Sequence, residues 1–541
     1  RRTLGEGAKD HRFIVTIPGR GYRFVAPVTT IPMSDEPERI ESDTTDEDHA
    51  SLATLAIAIP IRAALAAVAL LVIVMAVLIV VRDRPVVTTP APRVLAVLPF
   101  EALGTSNDIL GVGLADAVIN RLSRLPALTV RPTSAVLRWR DNVSDPVAIG
   151  RTLQVGAVLT GTVQSTAERV RVTTQLTQID TPHLLWTGTF DQQGDDPFEL
   201  QDTLSAELAR ALAVELGALP AAPATSRDAR AYRAYLEGRL ALSRRTRESL
   251  DQAIEAFGRA IEHDPDYALP YQGLADAYYL QTFYDSAGVP PREHYLRVRE
   301  NAQKALERDP SLGAAHSTLG VVAYNLDHDF ATAETHFQRA LELDPGAPRV
   351  HHRYGWFLLA MDRPEASRAA LERARELDPL SLIRTTALAM HGYFTGDLER
   401  ALAILEDAQR IDPDFSRLQI DLGLVHEALG NVDQARIHFD KARQQSGDSS
   451  ESLAAAGYLA GKAGDLETWR DVQDALRQRA RRGYVSPLHF ALLASAVNDQ
   501  EEALRLLQEA IEERSVWPVA LRWDPRLEGL RVSPSFLEPP L

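Results

Sequence analysis

The feature that most constrains this chain is a recurring Asp-Pro dipeptide, at 264–265, 309–310, 344–345, 378–379 and 412–413, with prolines 45, 35, 34 and 34 residues apart. A near-constant interval of this size marks a stack of supersecondary units, none of which can bury its apolar face alone. Proline ends a helix, so each Asp-Pro closes one unit, and the interval leaves room for two antiparallel helices. The letters inside the units agree: Ala253, Phe257 and Ala260 before Pro265; Gly320, Tyr324, Ala333, Phe337 and Ala340 before Pro345; Gly423, Ala435, Phe439 and Ala442 later. Small residues let helices approach closely, and the aromatic ring fills the space between them. The one long interval carries eleven extra residues, placed around Asp285–Pro291, and weaker units continue at 451–480 and 488–515, with Ala503, Leu507 and Ala510 in phase. The tail from Trp517 to Leu541 is expected to cap the last helix pair.

On these residues, region 228–541 resembles a tetratricopeptide repeat array, an α-solenoid. The resemblance implies a concave face that takes a peptide or protein ligand. Candidates for that face are Tyr271, Tyr278, His316, Asn325, His351, Tyr354 and His426 on the first helices, with ordinary packing as the competing reading at each. His351-His352 and His426-Glu427 invite a metal or base reading, but no partner histidine stands four residues away and HExxH is absent from the sequence. Phosphate loops, G-x-S-x-G elbows and paired carboxylates are also missing, so no catalytic, cofactor or metal residue is assigned. Gly111-Val112-Gly113 mimics a dinucleotide fingerprint, yet it lies too far beyond the preceding strand to open the helix such a site needs.

A chain of 541 residues exceeds one ordinary core several times over. Its net charge of −16 excludes a protein that coats nucleic acid along its whole surface, but not one with a small basic end. Such an end exists: residues 1–30 carry a net +4. There Phe13–Ile17, a Pro18-Gly19-Arg20-Gly21 turn and Tyr22–Val25 read as a hairpin. Arg1-Arg2-Thr3-Leu4-Gly5 and Thr16-Ile17-Pro18-Gly19-Arg20-Gly21-Tyr22-Arg23-Phe24 resemble the close of a winged-helix DNA-binding domain of the OmpR/PhoB type. The resemblance implies that residues 1–28 are the end of such a domain, with Arg1, Arg2, Thr16, Arg20 and Gly21 as its DNA-contacting positions. It also implies that the base-reading helix lies upstream of Arg1, so promoter DNA is expected to be bound by the full-length protein alone.

Residues 29–61 begin with a strongly acidic stretch, net −7 over 29–51, and read as a disordered linker. Ala63–Val81 is an uncharged apolar run of 19 residues, and 62–82 reads as one transmembrane helix. A DNA-binding N-terminus must be cytoplasmic, which places the C-terminal region in the periplasm of a bacterial inner-membrane protein. Arg82, Arg84 and Arg93 argue for the opposite orientation by the positive-inside count.

Residues 93–217 alternate strand and helix patterns: strands at 94–98, 128–130, 157–163, 170–176 and 184–190, helices at 110–125, 147–153 and 199–216. Val97-Leu98-Pro99-Phe100, Gly113-Leu114-Ala115-Asp116, Leu159-Thr160-Gly161-Thr162-Val163, Leu185-Trp186 and Phe198-Glu199-Leu200-Gln201-Asp202 resemble a TolB-like α/β module. Together these parts resemble an N-terminally truncated regulator of the CadC or ToxR type, signalling through a partner or ligand of the C-terminal region and homodimerisation. Two other readings stay open: a membrane-tethered tetratricopeptide scaffold, and the C-terminal region of a nucleotide cyclase-like signalling protein.

Overall fold

The computed structural model describes residues 14–17, 21–24 and 94–532, the last apart from 104–107, 126–127, 141–142, 144, 166–168, 194–202, 205, 209, 211–225, 227 and 284–288. Arg1, Arg2, Arg20, the linker 29–61 and the run 62–82 lie outside the described residues. The chain divides into two units, residues 1–87 and 88–541.

In the first unit, β1 (Ile14–Ile17) and β2 (Gly21–Phe24) pair antiparallel, with Thr16 opposite Tyr22 and Ile17 opposite Gly21.

The second unit opens with an α/β domain of β3 (Val94–Val97), β4 (Glu101–Ala102), α1 (Asp108–Leu122), β5 (Thr129–Val130), α2 (Thr133–Val136), α3 (Pro146–Thr152), β6 (Ala157–Ser165), β7 (Arg169–Gln178) and β8 (Leu184–Gln193). The sheet runs β5-β3-β6-β7-β8, parallel from β5 to β6 and antiparallel beyond, with β4 also alongside β6. Sequence pattern explains the two halves. The β3 run Val-Leu-Ala-Val is apolar throughout and its last three residues are fully buried, as a parallel strand covered on both faces must be. β7 alternates strictly, burying Val170, Val172, Thr174, Leu176 and Gln178 and turning Arg169, Arg171 and Gln175 outward.

Among the described residues eight helix pairs follow: α4 (Ala229–Arg244) with α5 (Arg247–His263), α6 (Ala268–Gln281) with α7 (Pro291–Arg308), α8 (Gly313–Val322) with α9 (Phe330–Leu343), α10 (Pro348–Ala360) with α11 (Pro364–Leu377), α12 (Leu382–Thr395) with α13 (Leu398–Ile411), α14 (Ser416–Ala428) with α15 (Val432–Ser446), α16 (Ser450–Lys462) with α17 (Leu466–Ala480), and α18 (Pro487–Ala496) with α19 (Gln500–Glu512). Short helices α20 (Pro518–Trp523) and α21 (Glu528–Arg531) close the described chain. The second helix of a pair buries a single stripe: α9 buries Ala333, Phe337 and Ala340. The first helices are buried almost all round, as α12 is from Thr385 to Tyr393, and they form the inner layer.

The Asp-Pro motif has a local cause. The aspartate sits at the C-cap with extended backbone, as a residue before proline prefers. Its carboxylate accepts the backbone N–H two residues on, seen at Asp264, Asp309 and Asp412. Close packing at the helix crossings requires glycine. A Cβ on Gly423 would lie 2.3 Å from the Phe439 ring, and one on Gly238 would lie 2.6 Å from Phe257.

The placement of the chain as a single-pass inner-membrane protein with a periplasmic C-terminal region is corrected here. Among the described residues, no helix is long and apolar enough to cross a membrane. The helices that are described are unsuited to a span: the second helices of the pairs carry one apolar stripe each and the first helices are ten to sixteen residues long, short of the roughly 20 a span requires, while 62–82 lies outside the described residues.

Candidate functional site: the inner face of the array

Several residues singled out in the sequence occupy one repeat position, six residues after the turn proline, and bond back to it. Tyr271 donates its hydroxyl to the Pro265 carbonyl at 3.1 Å, and a His351 ring nitrogen lies 2.8 Å from the Pro345 carbonyl. Gln419 does the same at Pro413, at 3.1 Å. Tyr271 is also covered by the Arg308 guanidinium, 4.1 Å from its ring centre. His316 meets His336 through their Nδ1 atoms at 3.1 Å. His426 stacks on His438, with rings 5.3 Å apart and nearly parallel. Asn325, in a π-helical turn (Ala323–Asp327) that extends α8, is buried and donates to the Val321 carbonyl. Tyr278 and Tyr354 are half-buried, Tyr278 beneath Arg297 and Tyr354 stacked on Phe357. The structure does not bring these residues into one site. Among the described residues no group of three or more His, Cys, Asp or Glu side chains could hold a metal ion.

What it does bring together is a charged cluster that sequence reading missed. Asp276 on α6 accepts from Arg349 and, at 3.1 Å, from Arg353, both on α10. Between them Thr318 of α8 accepts from Gln272 at 3.1 Å and from Arg353 at 2.9 Å, so three consecutive repeats are bonded to one another. Arg353 also lies over the Tyr279 ring, 4.8 Å from its centre. Burial pulls the Asp276 carboxyl upward, but Arg349 and Arg353 outweigh it and hold it below the ordinary carboxylate value. Arg384, next along at the start of α12, is pushed down to about 10 by burial, which outweighs the upward pull of Asp378, with Arg245, Arg349 and Arg353 adding smaller downward pushes. The available signal was the spacing of four between Arg349 and Arg353, which puts both on one helix face.

The α/β domain is bonded to the array. Arg131, 4% exposed, donates to the Leu153 and Gln154 carbonyls in its own domain and to the Glu376 and Leu377 carbonyls at the end of α11. Those last carbonyls are helix-end acceptors with no intrahelical partner. Ser134 donates to Asp378, an aspartate of an Asp-Pro turn, and Arg239 on α4 bonds Asp116 on α1 at 3.0 Å.

At the other end the chain folds back on its own array. Trp517 packs edge-on to Trp356, with ring centres 4.8 Å apart, and donates to the Tyr324 hydroxyl at 3.2 Å. Trp523 donates to the Leu359 carbonyl at 2.8 Å, and Arg514 places its guanidinium 3.2 Å from the His328 ring. The tail therefore does more than cap the last pair. Leu521, Leu527 and Leu530 pack there, while the two tryptophans reach the inner helices of the third to fifth pairs.

With this geometry in view, the comparisons with known proteins fall into place. Residues 91–207 match the family described as HilA/YgeH-like transcriptional regulator, second domain, and residues 324–388 and 395–457 match the tetratricopeptide repeat. The chain thus combines tetratricopeptide repeats with homology to HilA-like transcriptional regulators. It is 22% identical over 402 residues to the transcriptional regulator HilA of Salmonella paratyphi A (strain ATCC 9150 / SARB42), covering 73% of this chain and 61% of that one. It is 27% identical over 237 residues to a Rhizobium meliloti (strain 1021) protein named as a putative adenylate cyclase, covering 43% of this chain and 40% of that one. The chain therefore spans less than two thirds of either relative. Among solved structures, YrrB, titled a TPR protein with an unusual peptide-binding site, is 25% identical over 38% of this chain and 98% of its own, with a TM-score of 0.25. TTC0263, a thermophilic TPR protein of Thermus thermophilus, is 19% identical over 35% of this chain and 95% of its own, with a TM-score of 0.30. Overlaps at these scores carry no argument about function.

Proposed function

We propose that the chain is the larger part of a transcriptional regulator that binds promoter DNA through an N-terminal winged helix. In this reading its α/β and repeat body receives a signal or a protein partner. The observation that carries it is the match of residues 91–207 to the second domain of HilA/YgeH-like regulators, together with a similarity to HilA over 402 residues. The β1–β2 ribbon supports it as the wing, with Thr16 and Gly21 on paired strands; Arg20, which falls between the two strands in the sequence, lies outside the described residues. Arg1 and Arg2 complete the proposed DNA-contacting set, and the α/β domain is proposed to share the TolB-like fold. On the array, partner binding is assigned to the half-buried Tyr278 and Tyr354, while Tyr271, Asn325 and His426 act from within the packing.

The test is DNA binding by the full-length protein against salt concentration. Arg20→Ala is expected to weaken binding uniformly across sequences and to lower the slope of log affinity against log salt by about 1. An unchanged slope and affinity removes the DNA-binding half of the proposal. A second reading, the C-terminal region of a cyclase-like signalling protein, is favoured by the cyclase-named relative. It predicts cyclic nucleotide production by the full-length protein.

A further inference from the structure

On α10 and α12 three arginines, Arg349, Arg353 and Arg384, have two carboxylates between them, Asp276 and Asp378. Asp276 is shared by Arg349 and Arg353, so one acid serves two guanidinium groups. Arg384 has 11% of its side chain exposed, its nearest carboxylate is Asp378 at 3.7 Å, and its Nε is buried with no hydrogen-bond partner. His352, one turn from Arg349 on α10, also has a buried Nδ1 with no partner. Burial first, and then Arg384, Arg353 and Arg245, hold that ring well below the ordinary histidine value. Cations that are desolvated, crowded and only partly paired cost free energy unless an anion joins them. Guanidinium groups present planar forks that match the oxygens of a phosphate or carboxylate.

We propose that Arg349, Arg384 and His352 form a binding site for a small multivalent oxyanion of the phosphate class, with Arg353 and Asp276 holding the arginines in place. Two observations favour a small ligand over an extended peptide. On one side the α/β domain is bonded onto the same stretch of array, through Arg239–Asp116 and Asp378–Ser134. On the other, the Trp517 segment covers Tyr324 and Trp356. The inference deepens the signal-receiving role proposed for the body by naming a ligand class, and its test reads binding alone. Failure to bind DNA and failure to bind the anion are therefore separate results.

The experiment is calorimetric titration of the 541-residue protein with inorganic phosphate and with pyrophosphate, paired with thermal unfolding at matched ionic strength. Saturable binding, and a rise in Tm beyond that given by equivalent sodium chloride, are expected. Arg349→Gln keeps the Arg353–Asp276 bond and so keeps the fold; it and Arg384→Gln are each expected to weaken pyrophosphate binding at least tenfold. Arg339→Gln, on an exposed pair with Glu342 on the outer layer, is expected to change it less than twofold. The proposal is overturned if phosphate acts no differently from chloride, or if both inner-layer variants bind as the parent does. It is equally overturned if an acidic peptide binds in a manner sensitive to Arg349→Gln while neither phosphate probe binds.

Discussion

Replacing Asp276 with asparagine removes the charge that holds two arginines in the inner layer. Arg349 keeps 39% of its side chain in water, so its share of the loss is at most about 1 kcal/mol. Arg353 is different: only 6% of its side chain is exposed, and without Asp276 it is a buried cation whose remaining hydrogen bond is to a neutral hydroxyl, that of Thr318. Removing one partner of a buried pair costs about 3–5 kcal/mol, and because asparagine still accepts one hydrogen bond, the lower end, about 3 kcal/mol, is expected. The Asp276 carboxyl is held below its ordinary value in the folded protein. A depressed carboxyl stabilises above its unfolded value, near 3.9, and that stabilisation is lost as pH falls through the folded value. The difference between parent and Asp276→Asn is therefore flat from pH 5 to 8 and shrinks below about pH 4.

The assay is urea unfolding followed by tryptophan fluorescence, with Trp356 and Trp517 as reporters beside the affected repeats. Repeat arrays lose stability locally, so the decisive quantity is a coupling. Asp276→Asn combined with Arg353→Met removes the stranded charge and is expected to recover at least about 2 kcal/mol relative to the sum of the single changes. A cost below about 1 kcal/mol for Asp276→Asn, with no coupling, refutes the claim that this cluster is electrostatically held.

Two further perturbations test the packing and its dependence on pH. Phe337 is fully buried, with its ring centre 5.2 Å from Phe357 and 5.8 Å from Tyr354, so Phe337→Ala is expected to cost about 3–5 kcal/mol, read by calorimetric unfolding. His328 is pushed down to about 4 by burial and then by Arg514. A histidine depressed in the fold stabilises above its unfolded value, near 6.5, and that contribution is lost as pH falls toward 4. His328→Gln is accordingly expected to flatten the acid limb of Tm against pH, and superimposable curves for the two proteins contradict the assignment.

Local chemistry decides which parts of this molecule were legible in the sequence. The strand positions of the α/β domain followed from apolar runs and alternation, and the repeats from a dipeptide whose proline ends each second helix. The insertion fell in the right connection, since α6 ends at Gln281 and α7 begins at Pro291. The inner face was less readable, because a polar residue at a repeat position looks the same whether it meets a ligand or its own turn. Tyr271 and His351 could have been recognised as turn partners from their shared distance to Pro265 and Pro345. No such rule reveals Asp276 with Arg353, 77 residues apart, or Trp517 with Tyr324, 193 apart. Those contacts depend on how successive repeats stack, which is a property of summed helix crossings and leaves no mark at a single position. Nothing in the sequence singles out Arg131, and only the docking of the α/β domain on α11 shows why it is buried.

The central claim, a HilA-like regulator rather than a cyclase-like signalling protein, is tested most directly by recovering DNA cross-linked to the full-length protein in its native cells while measuring cyclic AMP in the same cultures. The account predicts discrete enriched sites upstream of genes, lost with Arg20→Ala, and cyclic AMP unchanged when the gene is deleted. Absence of enriched sites together with a fall in cyclic AMP on deletion would contradict it.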